Sequence, residues 1–476
     1  MTDAAEVLGA DLHLELTGAG SRRAVLIRAL REAVRSGRLA PGTRLPPYRS
    51  LAADLGVARN TVADAYAELV AEGWLTSRQG SGTRVAERVA TPEPERAPRD
   101  TARPLPYDLV QGKPDPAAFP RTAWLASARR ALTAAPHEAF GIGDPRGRVE
   151  LRRELAAYLA RVRGVRTGQD RIVVCSGAAH ALRLLARVVP GPWAVEAYGL
   201  PFHRGLLAEA GIRTVPVAVD EDGARPGEIP RGPRAVLLTP AHQFPTGGPL
   251  HPERRAAAVD WARATGGFVL EDDYDGEFRY DRRPVGALQG LAPDRVVLIG
   301  SVSKSLSPTL RIGWMVLPGA LTDGVLAAKG EREPYSSATE QLTLADFLAS
   351  GAYDRHVRRM RRRHRERRDR LVAVLAERVP GVRVTGIAAG LHAVVELPPG
   401  TEAAALAAAA RHGVAVEGLG GYRHPDAVSR SGGVGGVGGG GVREGDGLVV
   451  GYATPPERLY GGALDALCNA LHTALR

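Results

Sequence analysis

A single lysine, Lys304, follows an apolar run with the composition of a buried strand. The run is "RVVLIG" at 295–300, and the chain continues "SVSKSLSPTLR" as far as Arg311. The carboxyl end of such a strand is where α/β sheets bind their ligands. A lysine amine there can form a Schiff base with a carbonyl compound, so the stretch indicates covalent chemistry. Taken alone, it is also compatible with a surface lysine.

Three further apolar runs end in polar residues that suit a ligand site. The run at 171–182 passes through Ser176, Gly177 and Ala178 into a helix, and the backbone amides of such a turn bind phosphate. The runs at 234–247 and 267–275 end in polar pairs. These pairs are His242 with Gln243, and Asp272 with Tyr274.

These groups together meet the needs of one cofactor, pyridoxal 5′-phosphate (PLP). Lys304 supplies the amine for an internal aldimine, and Asp272 supplies a carboxylate that keeps the ring nitrogen protonated. Tyr274 is placed to reach the ring hydroxyl. We expect the remaining cofactor contacts from the Ser176–Ala178 turn and from five other residues. These are His242, Gln243, Ser301, Ser303 and Arg311.

Each of these features has a simpler interpretation when it is taken alone. The acidic segment "EDDYD" at 271–275 is also compatible with a solvated strand end or a metal-binding cluster. His242 is also compatible with a structural histidine. The joint presence of the features, in this order along the chain, favours the cofactor site.

Composition limits the class of protein. The chain has 476 residues, which is more than one ordinary core and predicts two or three domains. Cys175 and Cys468 are far apart and show no metal-ligand spacing, so we expect buried thiols, no metal and a reducing compartment. The N-terminus lacks the pattern of a signal peptide, and no apolar stretch has the length of a membrane span. We therefore expect a cytoplasmic protein without membrane contact.

The net charge of +11 permits a polyanion as partner but does not establish one. Much of the excess lies at 355–370, "RHVRRMRRRHRERRDR". We interpret this stretch as a long helix with a solvated basic face. Direct contact of this helix with DNA is the alternative.

Three segments divide the chain. Residues 15–86 predict a small helical domain, and residues 87–106, rich in Pro, Arg and Glu, predict a linker. Residues 107–476 alternate apolar runs with helical patterns, which is typical of an α/β domain with a mostly parallel sheet. Within that domain the glycine-rich stretch 429–447 predicts a disordered surface loop.

The first of these segments has the pattern of a winged helix-turn-helix. A short helix ends at Gly56, and an amphipathic helix begins near Arg59. Arg59, Asn60 and Thr61 therefore fall where a recognition helix meets base edges. Gly80 and Gly82 would let the backbone of the wing approach phosphates. Since residues 1–90 hold 12 basic and 10 acidic residues, the pattern and not the charge supports DNA binding, and a small protein-interaction domain is the alternative.

The segment from "SGRLAPGTRLP" through "RNTV" and "EGWL" to "GSGT" closely resembles the GntR-type winged helix. This resemblance implies DNA contacts at Arg49, Arg59, Asn60, Thr61 and Gly80. The motifs "GDPRGRVELR", "TPAHQFPTG", "EDDYDGEFRYD" and "SVSKSLSPTLRIGW" resemble the fold-type-I aminotransferases. The whole chain resembles the MocR subfamily of GntR-type regulators, which implies Lys304 as the aldimine lysine and a head-to-tail homodimer.

Two departures from that family lie in the second domain. Leu200 in "EAYGLPFHR" stands where the family has a tyrosine that stacks on the cofactor, and Tyr198 or Phe202 are the candidates to replace it. The strand "GLVVGYA" lacks the arginine that binds a substrate carboxylate. Three other arginines are candidates for that role. They are Arg204, Arg423 and Arg443.

We therefore predict a regulator that binds a double-stranded DNA operator and senses PLP, or an amino compound, through its aminotransferase-like domain. The missing carboxylate clamp favours a sensor over an efficient catalyst. A working aminotransferase with an auxiliary DNA-binding domain stays open. So does a regulator whose second domain only dimerises.

Overall fold

The computed structural model describes residues 14, 16–78, 82–87, 105–280, 285–330, 336–427 and 445–476. The chain divides into two compact units, Met1–Arg103 and Pro104–Arg476. Most of the predicted linker, residues 88–104, lies outside the described residues. Within the described part of the chain, no helix combines the length and the apolar character needed to cross a membrane.

The first unit is a three-helix domain with a two-stranded wing. Its elements are α1 (Arg22–Arg35), α2 (Tyr48–Asp54), α3 (Arg59–Ala71), β1 (Leu75–Arg78) and β2 (Gly82–Val85). Gly56 follows α2 with a φ of +64°, a conformation that suits glycine and ends the helix. Strands β1 and β2 pair antiparallel. The predicted order of short helix, turn, recognition helix and wing is thus present.

The small core of this unit comes from one apolar face of each helix. Leu30 of α1, Leu51 of α2 and Leu69 of α3 are each at most 1% exposed. Leu75 and Val85 of the wing pack into the same cluster. Burial of these faces fixes the angle between α2 and α3, so the amino end of α3 stays at the surface.

The second unit is built on a seven-stranded sheet in which one strand is antiparallel. Its order is β4–β12–β11–β10–β9–β5–β6, and β12 runs antiparallel to both of its neighbours. The strands of this unit up to residue 316, which include the seven strands of the sheet, are β3 (Tyr107–Asp108), β4 (Ile172–Cys175), β5 (Trp193–Glu196), β6 (Thr214–Val217), β7 (Val219–Asp220), β8 (Gly223–Ala224), β9 (Ala235–Leu238), β10 (Phe268–Asp272), β11 (Val296–Ser301) and β12 (Gly313–Val316).

Helices cover both faces of this sheet. They are α4 (Arg121–Ala134), α5 (Val149–Arg163), α6 (Ala178–Val188), α7 (Pro201–Glu209), α8 (Pro252–Thr265), α9 (Gly319–Lys329) and α10 (Ala338–Ala349). The side chains of β4 alternate between the faces. Ile172 and Val174 pack with α5 and α10, whereas Val173 and Cys175 pack with α6 and α9. A sheet buried on both faces explains why its strands appear in the sequence as continuous apolar runs.

A smaller sheet completes the unit, in the order β13–β14–β17–β16. The remaining elements are α11 (Ala352–Arg378), β13 (Arg383–Thr385), β14 (His392–Leu397), α12 (Glu402–Arg411), β15 (Val414–Ala415), β16 (Glu417–Gly418), β17 (Asp446–Gly451) and α13 (Glu457–Ala474). The predicted glycine-rich loop needs a correction at its end. Asp446 and Gly447 belong to β17, because they pair with Leu397 and Glu396 of β14.

The arginine-rich stretch lies within α11. Six of its arginines are exposed, at positions 355, 358, 359, 362, 365 and 370. Others are fixed inside the unit: Arg363 pairs with Asp115 at 2.7 Å, and Arg367 pairs with Glu457 at 2.7 Å. The run is therefore a helix with a basic exposed face, as predicted, and several of its arginines also hold the helix in place.

Candidate functional site

The amino end of α3 carries the predicted base-reading residues. Arg59 and Asn60 are exposed and Thr61 is half-buried, and Arg49 is exposed on α2. The Arg59 guanidinium lies over the Tyr48 ring at 5.0 Å and donates to the Tyr48 hydroxyl at 3.3 Å. Arg59 lowers the pKa of Tyr48 through this hydrogen bond and its charge. The contact holds Arg59 at the surface, where a guanidinium can meet a guanine edge.

The wing is joined to the turn before α2. Arg84 of β2 donates to the Gly42 carbonyl at 3.1 Å, and Leu45 N donates to the Thr83 carbonyl at 2.9 Å. Gly82 has a φ of +82°, and a Cβ there would lie 3.4 Å from Arg44 Nε. Gly80 lies outside the described residues.

A cavity of about 290 Å³ opens at the carboxyl ends of the strands in the second unit. It brings together most of the residues that the sequence assigned to a cofactor. Those that line it are Ser176, Gly177, Ala178, Asp272, Tyr274, Ser301, Ser303, Lys304 and Arg311. Because β10 and β11 are parallel neighbours, Asp272 and the segment that carries Lys304 emerge on the same edge of the sheet.

Lys304 and Asp272 place an amine and a carboxylate in the same cavity, where Asp272 is 6% exposed and Lys304 is half-buried. Lys304 Nζ donates to the Gly112 carbonyl at 2.6 Å. Burial lowers the pKa of Lys304, although the charges of Asp272 and Asp275 oppose this shift. Burial, with the charge of Asp273, raises the pKa of Asp272 to about 7. A less basic amine is more often unprotonated, which is the form that attacks a carbonyl.

The phosphate-binding turn predicted after β4 has the expected geometry. Gly177 has a φ of +113° and precedes α6, whose first backbone amides have no intrahelical acceptor. Arg311 has a φ of +53°, which is unusual for a residue with a side chain. The Ser336 hydroxyl lies 3.2 Å from both the Cys175 and the Arg311 carbonyls, and so connects the two segments.

Tyr274 is supported from behind by a buried histidine and carboxylate. The Tyr274 hydroxyl donates to the His242 carbonyl at 3.1 Å and lies 3.0 Å from His242 Nδ1. His242 Nδ1 is 2.8 Å from Asp275 Oδ2, and both side chains are at most 2% exposed. His242 and Gln243, predicted to touch the cofactor, are therefore beneath the cavity and not among its lining residues. The Gln243 amide instead donates to the Tyr198 and Phe244 carbonyls.

The sequence offered several residues as replacements for the stacking tyrosine and the carboxylate-binding arginine, and these residues lie in different places. Leu200 and Phe202 line the cavity, whereas Tyr198 is not among its lining residues. Tyr198 belongs to an apolar cluster with Phe244 and Tyr422, and this cluster packs against the cavity residue Leu200. Arg204 also lines the cavity, but its guanidinium donates to three backbone carbonyls. These are the carbonyls of Gly199 at 2.8 Å, Tyr422 at 3.0 Å and Arg423 at 3.1 Å.

Arg204 is therefore part of the packing between α7 and the C-terminal segment, and its donors do not face a carboxylate. Arg423 donates to the Ala427 carbonyl at 3.0 Å and is not among the cavity-lining residues. Arg443 lies outside the described residues. Among the described cations, Lys304, Arg311 and Arg204 line the cavity.

The sequence interpretation missed four polar residues of the cavity, which are Gln111, Glu196, His203 and Thr239. Glu196 at the end of β5 accepts from the Thr239 hydroxyl at 2.6 Å, and burial raises its pKa to about 7. His203 of α7 lies 3.9 Å, Nδ1 to Oδ2, from Asp272. Glu196 and Thr239 end apolar runs as Asp272 does, so the same signal could have found them. His203 follows Leu200 by one helical turn, and that spacing was the only sign of it.

The residues present fit PLP. The cavity offers an amine, a buried carboxylate and a tyrosine hydroxyl, with an amide-rich turn beside Arg311 for a phosphate. A Cβ on Gly112, which has a φ of +80°, would lie 3.0 Å from Lys304 Nζ, so the glycine leaves room beside the amine. In such a site PLP supplies an electron sink, and the protein supplies binding and orientation.

The two units match two known families. Residues 23–85 match the bacterial regulatory proteins of the gntR family, and residues 108–426 match aminotransferase class I and II. The pyridoxine biosynthesis transcriptional regulator PdxR of Corynebacterium glutamicum is 36% identical over 376 residues, covering 78% of this chain and 82% of that protein. The probable rhizopine catabolism regulatory protein MocR of Rhizobium meliloti is 35% identical over 375 residues, covering 73% and 76%.

Solved structures similar to the second unit are aminotransferases. Kynurenine aminotransferase of Pyrococcus horikoshii has a TM-score of 0.68 at 24% identity, and covers 79% of this chain and 92% of its own. The α-aminoadipate aminotransferase LysN of Thermus thermophilus, solved with N-(5′-phosphopyridoxyl)-L-leucine, has a TM-score of 0.65 at 26% identity, covering 77% and 92%.

Fold, cavity and family matches define a winged-helix DNA-binding protein with a fold-type-I, PLP-binding aminotransferase-like domain. The chain belongs to the MocR subfamily of GntR-type transcriptional regulators. It is therefore a DNA-binding transcriptional regulator, and its cofactor is PLP.

The buried carboxylate of Asp272 predicts a pH-dependent stability cost. Its pKa is about 7 in the fold against an ordinary value of 3.8, so ionisation opposes folding as the pH rises through this interval. In the cofactor-free protein, Asp272→Asn should leave stability unchanged at low pH. Above pH 7 it should raise the free energy of unfolding by up to about 4 kcal/mol. Urea unfolding followed by circular dichroism across pH measures this difference.

Asp220→Asn serves as a control in which the free energy of unfolding should change in the opposite direction. Burial alone would raise the pKa of Asp220, but hydrogen bonds from Arg254 and Arg225 outweigh burial and lower it to about 2. Its substitution should destabilise the protein at neutral pH and lose that effect in acid. A loss of stability above pH 7 in Asp272→Asn would contradict the account of Asp272.

Proposed function

We propose that this regulator holds PLP through Lys304, Asp272, Tyr274, Ser301, Ser303, Arg311 and the Ser176–Ala178 turn, and that occupancy of this cavity changes its affinity for an operator. The observation that carries the proposal is the single cavity that joins Lys304 to the buried Asp272. The carboxylate and the amine come from neighbouring parallel strands, so the sheet itself sets their relation.

The roles of the cofactor-facing residues follow from their chemistry. Asp272, when ionised, accepts from a protonated ring nitrogen and is the one buried carboxylate of β10 that faces the cavity. The Tyr274 hydroxyl, fixed by the His242 carbonyl, presents its oxygen to a ring hydroxyl. His242 and Asp275 hold Tyr274 and do not touch the ligand. Arg311 and the amides that open α6 neutralise a phosphate.

The DNA-binding part of the proposal uses residues 15–86 as the reading domain and 107–476 as the effector domain. Arg59, Asn60 and Thr61 meet base edges, and Arg49 with Gly80 and Gly82 of the wing contact the backbone. The exposure of Arg59 and Asn60 at the amino end of α3 supports this assignment. We further propose a head-to-tail homodimer, which the resemblance of the chain to the MocR subfamily implies.

The signal in this proposal is PLP itself or a small amino compound that reacts with the PLP-loaded site. A ligand changes operator affinity only through a difference in its own affinity for two conformations. The name of the similar PdxR, a regulator of pyridoxine biosynthesis, supports PLP as the signal. The engagement of Arg204 with three carbonyls supports weak binding of amino-acid carboxylates.

A working aminotransferase is the second candidate, because the Lys304, Asp272 and Tyr274 set is complete. We expect transamination by the loaded protein to be no faster than by free PLP, since a bidentate clamp for the substrate carboxylate is not found among the described residues of the cavity. Turnover of amino donors with a keto acid measures this rate. Clear acceleration over free PLP would favour the enzyme.

Lys304→Ala should abolish the visible absorption band of lysine-bound PLP, because it removes the amine that bonds to the cofactor. The measurement is the absorption spectrum after saturation with PLP and removal of free cofactor. Lys113→Ala is the control, since Lys113 is exposed and pairs with Asp108 at 3.1 Å. Retention of the band in the Lys304 variant, or its loss in the Lys113 variant, would overturn the assignment of the lysine.

Arg59→Ala should cost about 1–3 kcal/mol of specific operator binding, as expected for loss of a bidentate base contact. Fluorescence anisotropy with operator and unrelated DNA at several salt concentrations measures it. Arg35→Ala, an exposed arginine of α1, is the matched control and should change operator binding much less. An equal loss on both DNAs would show that Arg59 contacts only phosphate.

A further inference from the structure

The turn that carries Lys304 is anchored in the core on either side of the lysine. Val302 and Leu306 are at most 4% exposed and belong to the apolar cluster that includes residues of α5, α10 and α11. Leu306 N donates to the Val302 carbonyl at 2.8 Å and closes the turn. Lys304 lines the cavity, whereas Ser305 is 4% exposed and is not among the lining residues. Apolar packing is non-directional, so these anchors alone do not set the direction of the lysine side chain.

Helix α11 binds both the side chain and the backbone of Ser305. The Tyr353 hydroxyl lies 2.7 Å from Ser305 Oγ, and His356 Nε2 lies 2.7 Å from the Ser305 carbonyl oxygen. Tyr353 and His356 are three residues apart on one helix, so they face the same side. Their exposed fractions are 1% and 3%. One turn of α11 therefore holds the residue that follows Lys304 at two points, by directional contacts.

Further contacts orient the two groups of α11. The Arg359 guanidinium, which can only donate, lies 2.9 Å from His356 Nδ1. Nδ1 is therefore the acceptor, and Nε2 carries the proton that is donated to the Ser305 carbonyl. Burial, with the charge of Arg359, lowers the pKa of His356 to about 4, so the ring keeps this neutral form at pH 7. The Tyr353 hydroxyl also donates to Glu277 Oε1 at 3.2 Å, which fixes its rotation.

We propose that Tyr353 and His356 are positioning residues for Lys304, and that by holding Ser305 they direct the lysine amine toward the aldehyde of PLP. The inference rests on the proposed PLP site and adds to it the groups that aim its lysine. When the amine nitrogen bonds to the aldehyde carbon, the two amine protons and the aldehyde oxygen leave as water. This step requires the amine at short distance and in the right direction. Tyr353 and His356 do not line the cavity, so they act through the turn.

The experiment compares two ligands by isothermal titration calorimetry on the full-length protein. One is PLP, and the other is 4-deoxypyridoxine 5′-phosphate, which keeps the ring and the phosphate but has a methyl group in place of the aldehyde. Tyr353→Phe removes the hydroxyl and keeps the ring. It should weaken PLP binding about three- to tenfold, the usual effect of one hydrogen bond. Binding of the analogue should stay within about twofold of wild type, because only PLP bonds to Lys304.

Two further sets of variants test the contacts themselves. Ser305→Ala should show the same selective loss, and its combination with Tyr353→Phe should cost no more than either change alone, since both remove one contact. His356→Leu should also weaken PLP binding and spare the analogue. His356→Gln places an amide N–H near the position of Nε2 and should recover most of the PLP affinity.

Tyr158→Phe is the matched control, because it removes a hydroxyl from a ring that packs on Tyr353 at 5.2 Å between centroids, within the same apolar cluster. It should leave the affinity for both ligands within about twofold of wild type.

Two results would overturn the inference while leaving the PLP site intact. One is an equal loss for PLP and the analogue in Tyr353→Phe and Ser305→Ala, which would make the contacts a support of the fold only. The other is unchanged PLP affinity in both variants. Thermal unfolding of the cofactor-free variants confirms that they are folded, and Ser305→Ala decides the question if Tyr353→Phe does not fold. Failure of the wild-type protein to bind PLP would instead reject the proposed function itself.

Discussion

The second unit depends on one constraint. It must hold a carboxylate that resists ionisation near an amine that resists protonation. Asp272 and Lys304 each lose hydration in the cavity, and each favours the charged form of the other. The sheet supplies the geometry, because β10 and β11 are parallel neighbours whose carboxyl ends share an edge. The buried faces of the sheet supply the low dielectric that makes the interaction strong.

Groups behind the cavity wall keep this arrangement in place. Arg163 pairs with Asp273 at 2.8 Å, and both side chains are at most 8% exposed, so the acidic run after β10 is partly neutralised. Glu271, next to Asp272, points away from the cavity and accepts from the Leu288 and Gln289 amides. Alternate residues of one strand end thus serve the ligand site and the packing of the fold. Each carboxylate of this acidic run thus has a role inside the unit, so the run is not a solvated strand end.

Much of this site could be predicted from the sequence because it depends on strand ends. An apolar run that stops at a polar residue places that residue at a sheet edge, and this located Lys304, Asp272, Ser176 and Tyr274. His242, Arg204 and His203 depend on how loops and α7 pack across the sheet, which local patterns do not determine. His242 was therefore assigned to the ligand although it supports Tyr274 from beneath, and His203 was missed. The helix-turn-helix could be predicted in more detail, because its order of short helix, glycine and amphipathic helix is local.

The chain combines a DNA-binding domain with an aminotransferase-like domain. In the proposed function, the cofactor-binding groups of the cavity serve a regulator whose operator affinity depends on whether the cavity is occupied. The most direct test is binding of the full-length protein to the DNA upstream of its own gene, with and without PLP, over a range of salt concentrations. The account predicts specific binding that survives moderate salt and changes when PLP is added. Weak binding that is equal on any DNA and indifferent to PLP would contradict it.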